Sequence, residues 1–466
     1  MRFRTVTLRR AMLAVAAIAF AASAAGTGVR GAHATQTTGD EPHYLLTAHS
    51  LAEDGDLDVR DDIAAEAYRP WHGAGLDPQE KVLSDGRMVS PHDPLLPALL
   101  AAPLALGGWV AAKVALAALA AALAALLLVV AVRRFGLPVG PSAVVVAVFA
   151  ASAPFAVYGT QVYPELPAAL AVVAAVGGFA TPVAVIALPW LSVKYTLVAA
   201  TLALLTLRRR WYLLGVYAAA AAVFLVAHKL WYGGWTPYAA GDHFGDSELT
   251  VVGRQPDYAG RARRLLGLLV DRTFGLAVWQ PAWLLAVPAL AALVARRERR
   301  WLLVGLPLAA GWLVATFAAL TMHGWWWPGR QLVVVLPLAV LTVAAWAAVS
   351  RRRLAAVAAL GATGVVTYAW FVVEAYWSGL TWVVDFFETS NPLVQAWRLV
   401  LPDFWQENAA TWPLAALWTV VLGAAAGYAY TGTRRACGRS ETRAPIGTIS
   451  VDGRCERNVA SPTVTR

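Results

Sequence analysis

Two cysteines in 466 residues, Cys437 and Cys455, are too few for a disulfide framework or a four-thiolate zinc site. Both stand in a polar C-terminal stretch. Charge is scarce too: 14% of residues are charged, against about 25% in soluble globular chains. That argues against an ordinary soluble domain, a disordered chain and a collagen. Internal repeats and polar low-complexity linkers are missing. Apolar residues, by contrast, make up 59% of the chain and fall in long charge-free runs, the pattern of a polytopic helical membrane protein. The formal charge of +10 does not require a nucleic-acid partner, because its arginines gather between apolar runs, as cytoplasmic loop charges do.

Arg2, Arg4, Arg9 and Arg10 precede the first apolar run. Further clusters follow at Arg133-Arg134, Arg208 to Arg210, Arg296 to Arg300, Arg351 to Arg353 and Arg434-Arg435. Placed on one side, they make both termini cytoplasmic and residues 29–93 external. That stretch holds 13 of the 28 acids and only five Lys and Arg. Spans are expected at 11–28, 108–132, 141–158, 166–180, 211–232, 274–295, 301–321, 331–349, 354–373 and 412–431. The apolar run 181–207 breaks the parity, since both its ends should be cytoplasmic; a kinked or re-entrant hairpin about Pro189 restores it. The expected fold is therefore all-α, with about ten to twelve transmembrane helices in a cell membrane and short interfacial helices in the first external loop. Residues 1–431 form the membrane-embedded unit and 432–466 a disordered cytoplasmic tail. The small-x-small triplet Ala32-His33-Ala34 also lets the first span read as a cleavable signal segment.

The first external loop opens with Gly39-Asp40-Glu41-Pro42-His43-Tyr44. Proline suits the first turn of a helix and Asp40 its cap; Tyr44, Leu45, Ala48, Leu51 and Ala52 then share a face, and Gly55 ends the helix. From the loop alone, Asp40 is either a helix cap or a carboxylate able to take a proton from a hydroxyl. Asp54, Asp56, Asp58, Asp61 and Asp62 lack calcium-loop spacing and read as a solvated turn. The proline-dense stretch beginning His92-Asp93-Pro94 reads as a second interfacial element with a wet polar end. Glu165, Lys194 and Arg330 are charges that lie among apolar segments. Such charges face a partner or a cavity. Glu165 and Lys194 can pair structurally or act on a ligand. Arg330, after Trp325-Trp326-Trp327, suits either a lipid phosphate or a headgroup anchor beside an interfacial aromatic belt. Headgroup attraction also accounts for Arg254, Arg261, Arg263, Arg264 and Arg272.

Asp40-Glu41-Pro42-His43-Tyr44 resembles the Asp-Glu-x-Arg/His-Tyr element of GT-C class membrane glycosyltransferases, the class of protein O-mannosyltransferases and the lipid A aminoarabinose transferase. Further motifs agree in order: His92-Asp93-Pro94-Leu95-Leu96-Pro97, Tyr163-Pro164-Glu165, Leu188-Pro189-Trp190 with Lys194-Tyr195, and Trp327-Pro328-Gly329-Arg330 with Pro337. The likeness covers about residues 10–430. It implies transfer of a sugar from a polyprenyl-phosphate donor on the outer face, inverting the anomeric carbon. By that likeness Asp40 is the base and Glu41 assists it. Arg330, with Lys194 or His92, holds the donor phosphate, and His43, Tyr44, Glu165 and Tyr195 line the substrate site. No cofactor is required and a divalent metal is optional. This chain departs from the class in carrying His92-Asp93 where some relatives have a lysine, and a short tail where several have a large soluble domain. The acceptor, whether glycan, lipid or protein, is not implied. A transporter or flippase of lipid-linked sugars is the rival reading; paired interrupted helices would favour it, and the chain has one interrupted run. A non-catalytic scaffold needs no placed carboxylates at all.

Overall fold

The computed structural model describes residues 7–242 and 256–441, and among these it is helical with no strand. In chain order the main helices are α1 (Leu8–Ala25), α2 (Glu41–Glu53), α3 (Leu95–Val129), α4 (Val139–Ala150), α5 (Glu165–Gly177), α6 (Thr181–Leu191) and α7 (Thr196–Leu207). They continue with α8 (Leu214–Tyr232), α9 (Ala286–Arg296), α10 (Leu302–Leu313), α11 (Leu336–Ala347), α12 (Arg351–Ser378) and α13 (Thr411–Glu441). Counting adjoining turns, six segments among the described residues are long and apolar enough to cross a membrane: Leu8–Ala25, Leu95–Arg134, Trp211–Ala240, Arg299–Ala318, Arg351–Ser378 and Thr411–Cys437. Six more apolar segments have only 10–17 residues, short of the roughly 20 a crossing needs.

Length and burial divide these helices into two groups. The short α5 and α11 are buried almost throughout, whereas α8 and α13 turn Leu225, Val226, Val420 and Val421 outward. Water would not tolerate that outer surface, but hydrocarbon would. α1 lies against α3 and α4, burying Ala11, Val15, Ala19 and Ser23.

Several expected elements are interrupted. The span at 274–295 breaks at Gln280, which is extended because Pro281 restricts the residue before it and supplies no N–H. The span at 141–158 stops at Ala150; a separate turn, Phe155–Tyr158, follows Pro154. α3 is broken at Gly107-Gly108, where Gly108 has φ +66°, so the proline-rich element and the helix after it are two pieces as expected. The run 181–207 is a hairpin of α6 and α7, but its corner is Ser192 to Tyr195, past Pro189, which lies within α6. Finally, α13 continues to Glu441, into the stretch expected to be disordered; residues 442–466 lie outside the described residues.

Candidate functional site

Four charges from four distant segments meet at one place. The Arg330 guanidinium donates Nη2 to Asp40 Oδ2 at 2.6 Å and Nε to Glu165 Oε1 at 3.1 Å. Lys194 Nζ donates to the same Glu165 oxygen at 2.6 Å. Local backbone chemistry explains the placement. Lys194 projects from the corner of the α6–α7 hairpin. Glu165 is the first residue of α5, where the helix dipole favours a carboxylate. Asp40 and Arg330 each follow a glycine in the left-handed region: Gly39 at φ +58° and Gly329 at φ +86°. A β-carbon on Gly39 would lie 2.9 Å from the Tyr163 hydroxyl, and one on Gly329 2.6 Å from Leu276 Cδ2. Both glycines are thus needed for close approach as well as for φ.

Aromatic rings enclose the cluster. Arg330 lies 3.9 Å above the Tyr163 ring centroid and 5.2 Å from that of Trp326. The His92 ring stacks on Tyr44 at 4.5 Å, and its Nε2 is 3.1 Å from Gln79 Oε1. Tyr195 is buried beneath Lys194, whose Nζ is 5.2 Å from its ring. Within this enclosure Asp40 keeps 26% of its side chain exposed, so an incoming hydroxyl can reach it. Burial by itself would raise the Asp40 carboxyl, but Arg330, then His92 and Lys194, outweigh it and hold the acid well below the usual carboxylate range. Burial pushes the His92 imidazole down to about 4 despite the pull of Asp40. At neutral pH His92 is therefore a neutral hydrogen-bonding group, partnered by Gln79. Tyr44 keeps its proton, because burial raises it well above the usual phenol.

Two expected site residues turn away. Glu41 is 1% exposed and accepts the Val162 N–H at 2.8 Å instead of flanking Asp40. Burial raises its carboxyl, with Lys113 opposing. His43 places Nδ1 2.7 Å from Glu80 Oε1, where both side chains are buried, tying α2 to the loop behind it. Nor does the Asp40 side chain cap α2; its carboxylate is spent on Arg330. α2 itself is buried from Glu41 to Ala48 rather than lying amphipathic on a surface.

The pair His92-Asp93 is not a wet surface pair either. Asp93 is 3% exposed; Oδ2 accepts the Val193 N–H at 2.8 Å and Oδ1 faces His228 Nε2 at 3.0 Å. His228 Nδ1 lies 2.8 Å from the Phe224 carbonyl, which can only accept a hydrogen bond. The Asp93–His228 pair fixes the backbone next to Lys194. Sequence reasoning missed His228 and Lys113. Lys113 is a lone ionisable group in an apolar run, the same signal that singled out Lys194, and His228 stands with Lys229 near the end of another.

Other expectations also change. Trp327 is 1% exposed in the core, and Trp326 covers Arg330, which leaves Trp325 as the exposed member of the triplet. Arg261 and Arg264 donate to the Ala319 carbonyl at 2.5 and 2.9 Å, while Arg263 pairs with Glu407 and Arg272 with Asp403, so these four are structural ties; Arg254 lies outside the described residues. In the acidic turn, Asp62 is buried beside His49 and its carboxyl is raised to about 6, chiefly by burial. Among the described residues no three His, Cys, Asp or Glu side chains stand at metal-binding spacing. Compared with known proteins, the chain matches no family model, no curated protein and no solved structure.

Proposed function

We propose that this chain is a cell-envelope glycosyltransferase of the GT-C type, moving a sugar from a polyprenyl-phosphate donor to an acceptor at the outer face of the membrane. The observation that carries the reading is the joining of Asp40, Glu165, Lys194 and Arg330 in one enclosed, partly open cluster. It supplies a carboxylate within reach of a hydroxyl, beside two cations suited to a phosphate.

The chemistry is a single displacement. The acceptor oxygen forms a bond to the anomeric carbon from the face opposite the phosphate, the carbon–oxygen bond to phosphate breaks with its electron pair, and the acceptor proton passes to Asp40. With the site empty, Arg330 holds Asp40 as a weak base. A donor phosphate competes for the guanidinium, which can form two parallel bonds to phosphate. As Arg330 turns to the donor, Asp40 loses its stabilising cation and becomes more basic when a base is needed. Lys194 and Glu165 move less, because each holds the other. Arg330 and Lys194 then stabilise the departing phosphate.

The test is transfer or donor hydrolysis by purified protein, using a panel of polyprenyl-phosphate sugars. Asp40→Asn should lower turnover by about 10²–10⁴-fold while donor binding and folding persist, as loss of a general base does. Glu41→Gln should leave turnover close to wild type and act on stability. No reaction with any donor by well-folded protein, together with uptake of intact lipid-linked sugar into vesicles, would favour the transporter.

A further inference from the structure

At the end of the short helices away from Glu165 lies a cleft of about 570 Å³. Three basic clusters, far apart in sequence, converge on its rim: Arg134 after α3, Arg208 to Arg210 after α7, and Arg299-Arg300 before α10. All six arginines are exposed. Arg300 pairs with Glu298 at 2.6 Å; among the described residues, none of the other five is paired with a carboxylate. The floor is apolar, with Phe135, Val176, Leu205 and Leu303.

The cleft follows from helix length. α5, α6 and α7 have 13, 11 and 12 residues. At about 1.5 Å per residue they rise only about 16–20 Å, well short of a hydrocarbon layer of about 30 Å. The part of α3 after the break at Gly108, with its continuation to Arg134, does run the full distance. The short helices therefore leave a recess beside their longer neighbours, and a recess at that depth fills with lipid or water. Its chemistry favours lipid: an apolar floor for a chain below, and above it five guanidiniums with no carboxylate partner among the described residues. Guanidinium binds phosphate by two parallel hydrogen bonds, and a basic pocket between membrane helices suits an anionic headgroup. The chain's own end does not complement the rim, since residues 442–466 carry Arg443, Arg454, Arg457 and Arg466 against Asp452 and Glu456.

We propose that this cleft is a binding site for one anionic phospholipid of the basic face of the membrane, phosphate on the arginine rim and acyl chain on the apolar floor. The lipid clamps the ends of α5, α7 and α10, and α5 carries Glu165 at its other end, about 20 Å away. The proposal does not depend on the reaction assigned to that distant site.

The test compares the full chain with a triple variant, Arg134→Gln, Arg209→Gln and Arg299→Gln, which removes one charge from each cluster. A control triple variant, Arg297→Gln, Arg351→Gln and Arg352→Gln, removes equal charge outside the cleft. Purified proteins are titrated with phosphatidylglycerol or phosphatidylcholine, reading bound lipid by native mass spectrometry and the thermal midpoint alongside. At about fivefold per arginine, the cleft variant should bind phosphatidylglycerol about a hundredfold more weakly, with wild-type binding restored by lysine at the three positions to within about tenfold. The control variant should retain wild-type binding, and phosphatidylcholine should bind none of them tightly. Equal losses in both triple variants would reduce the cleft to general surface charge. Undiminished binding by the cleft variant would overturn the site. Displacement of the lipid by millimolar inorganic phosphate or a nucleoside diphosphate would replace the lipid with a soluble anion and overturn the proposal as stated.

Discussion

Replacing Arg330 with methionine tests whether the four-charge cluster is one energetic unit. Methionine keeps most of the stem's packing and deletes the guanidinium. That group is 7% exposed and holds two acids at 2.6 and 3.1 Å. Removing one partner of a buried ion pair costs about 3–5 kcal/mol, because the remaining charge stays desolvated. Loss of the stack on Tyr163, 3.9 Å below, adds about 1 kcal/mol. Lys194 still neutralises Glu165, and Asp40 is open enough to hydrate, so the lower part of the range applies: about 3–4 kcal/mol. Glu165→Gln removes the acid shared by both cations, and in an Arg330→Met background the part of its cost that comes from the Arg330 pairing disappears, while the part that leaves Lys194 without its acid remains. The double-mutant cycle, measured by reversible unfolding in mixed detergent micelles, should give a coupling of about 2 kcal/mol or more. Arg330→Lys should fall between, keeping the charge and losing the fork. Additivity within about 0.5 kcal/mol, or a loss below about 1 kcal/mol for Arg330→Met, would show that the pairing contributes little and that Arg330 is an anchor.

Gly39→Ala and Gly329→Ala should each cost about 1–2 kcal/mol from the left-handed backbone, plus the clash, and should weaken donor binding; Gly305→Ala, in α10 with open space at its β-carbon, should be neutral or slightly stabilising, and equal behaviour of all three would remove the backbone argument. His92 has its folded-state pKa depressed to about 4 from 6.5, so the unfolded chain binds the extra proton first and stability should fall as pH drops through that window. The thermal midpoint of wild type should decline more steeply there than that of His92→Gln, and parallel curves would mean that His92 is solvated. Orientation is checked by single cysteines at Ser84 and Ser440 in a chain lacking Cys437 and Cys455: an impermeant thiol reagent should label whole cells at Ser84 and not at Ser440, and the reverse would invert the assigned topology.

Amino-acid order alone determined the class of structure. Long uncharged runs cannot be anything but buried or lipid-facing, and helices satisfy their own backbone within a single segment, so the all-helical architecture followed from local composition. The hairpin at 181–207 was legible for the same reason, because charge parity required an even number of passes, although the corner fell at Ser192 and not at Pro189. Lone charges in apolar surroundings marked Glu165, Lys194 and Arg330, since such groups need a partner wherever the chain places them. Which partner each took was a tertiary matter. Glu41 and Asp40 are neighbours on the chain, yet the start of α2 sends one inward to the Val162 N–H and the other across to Arg330. His92 and Asp93 looked like one polar pair, but one stacks on Tyr44 and the other meets His228 from α8. The three arginine clusters were expected on one membrane side, but only the shortness of α5, α6 and α7 beside the longer helix that ends at Arg134 turned them into the rim of one cleft. Local sequence sets what a segment can bury; the direction of a side chain, and the charge that answers it, depend on helices packed from elsewhere in the chain.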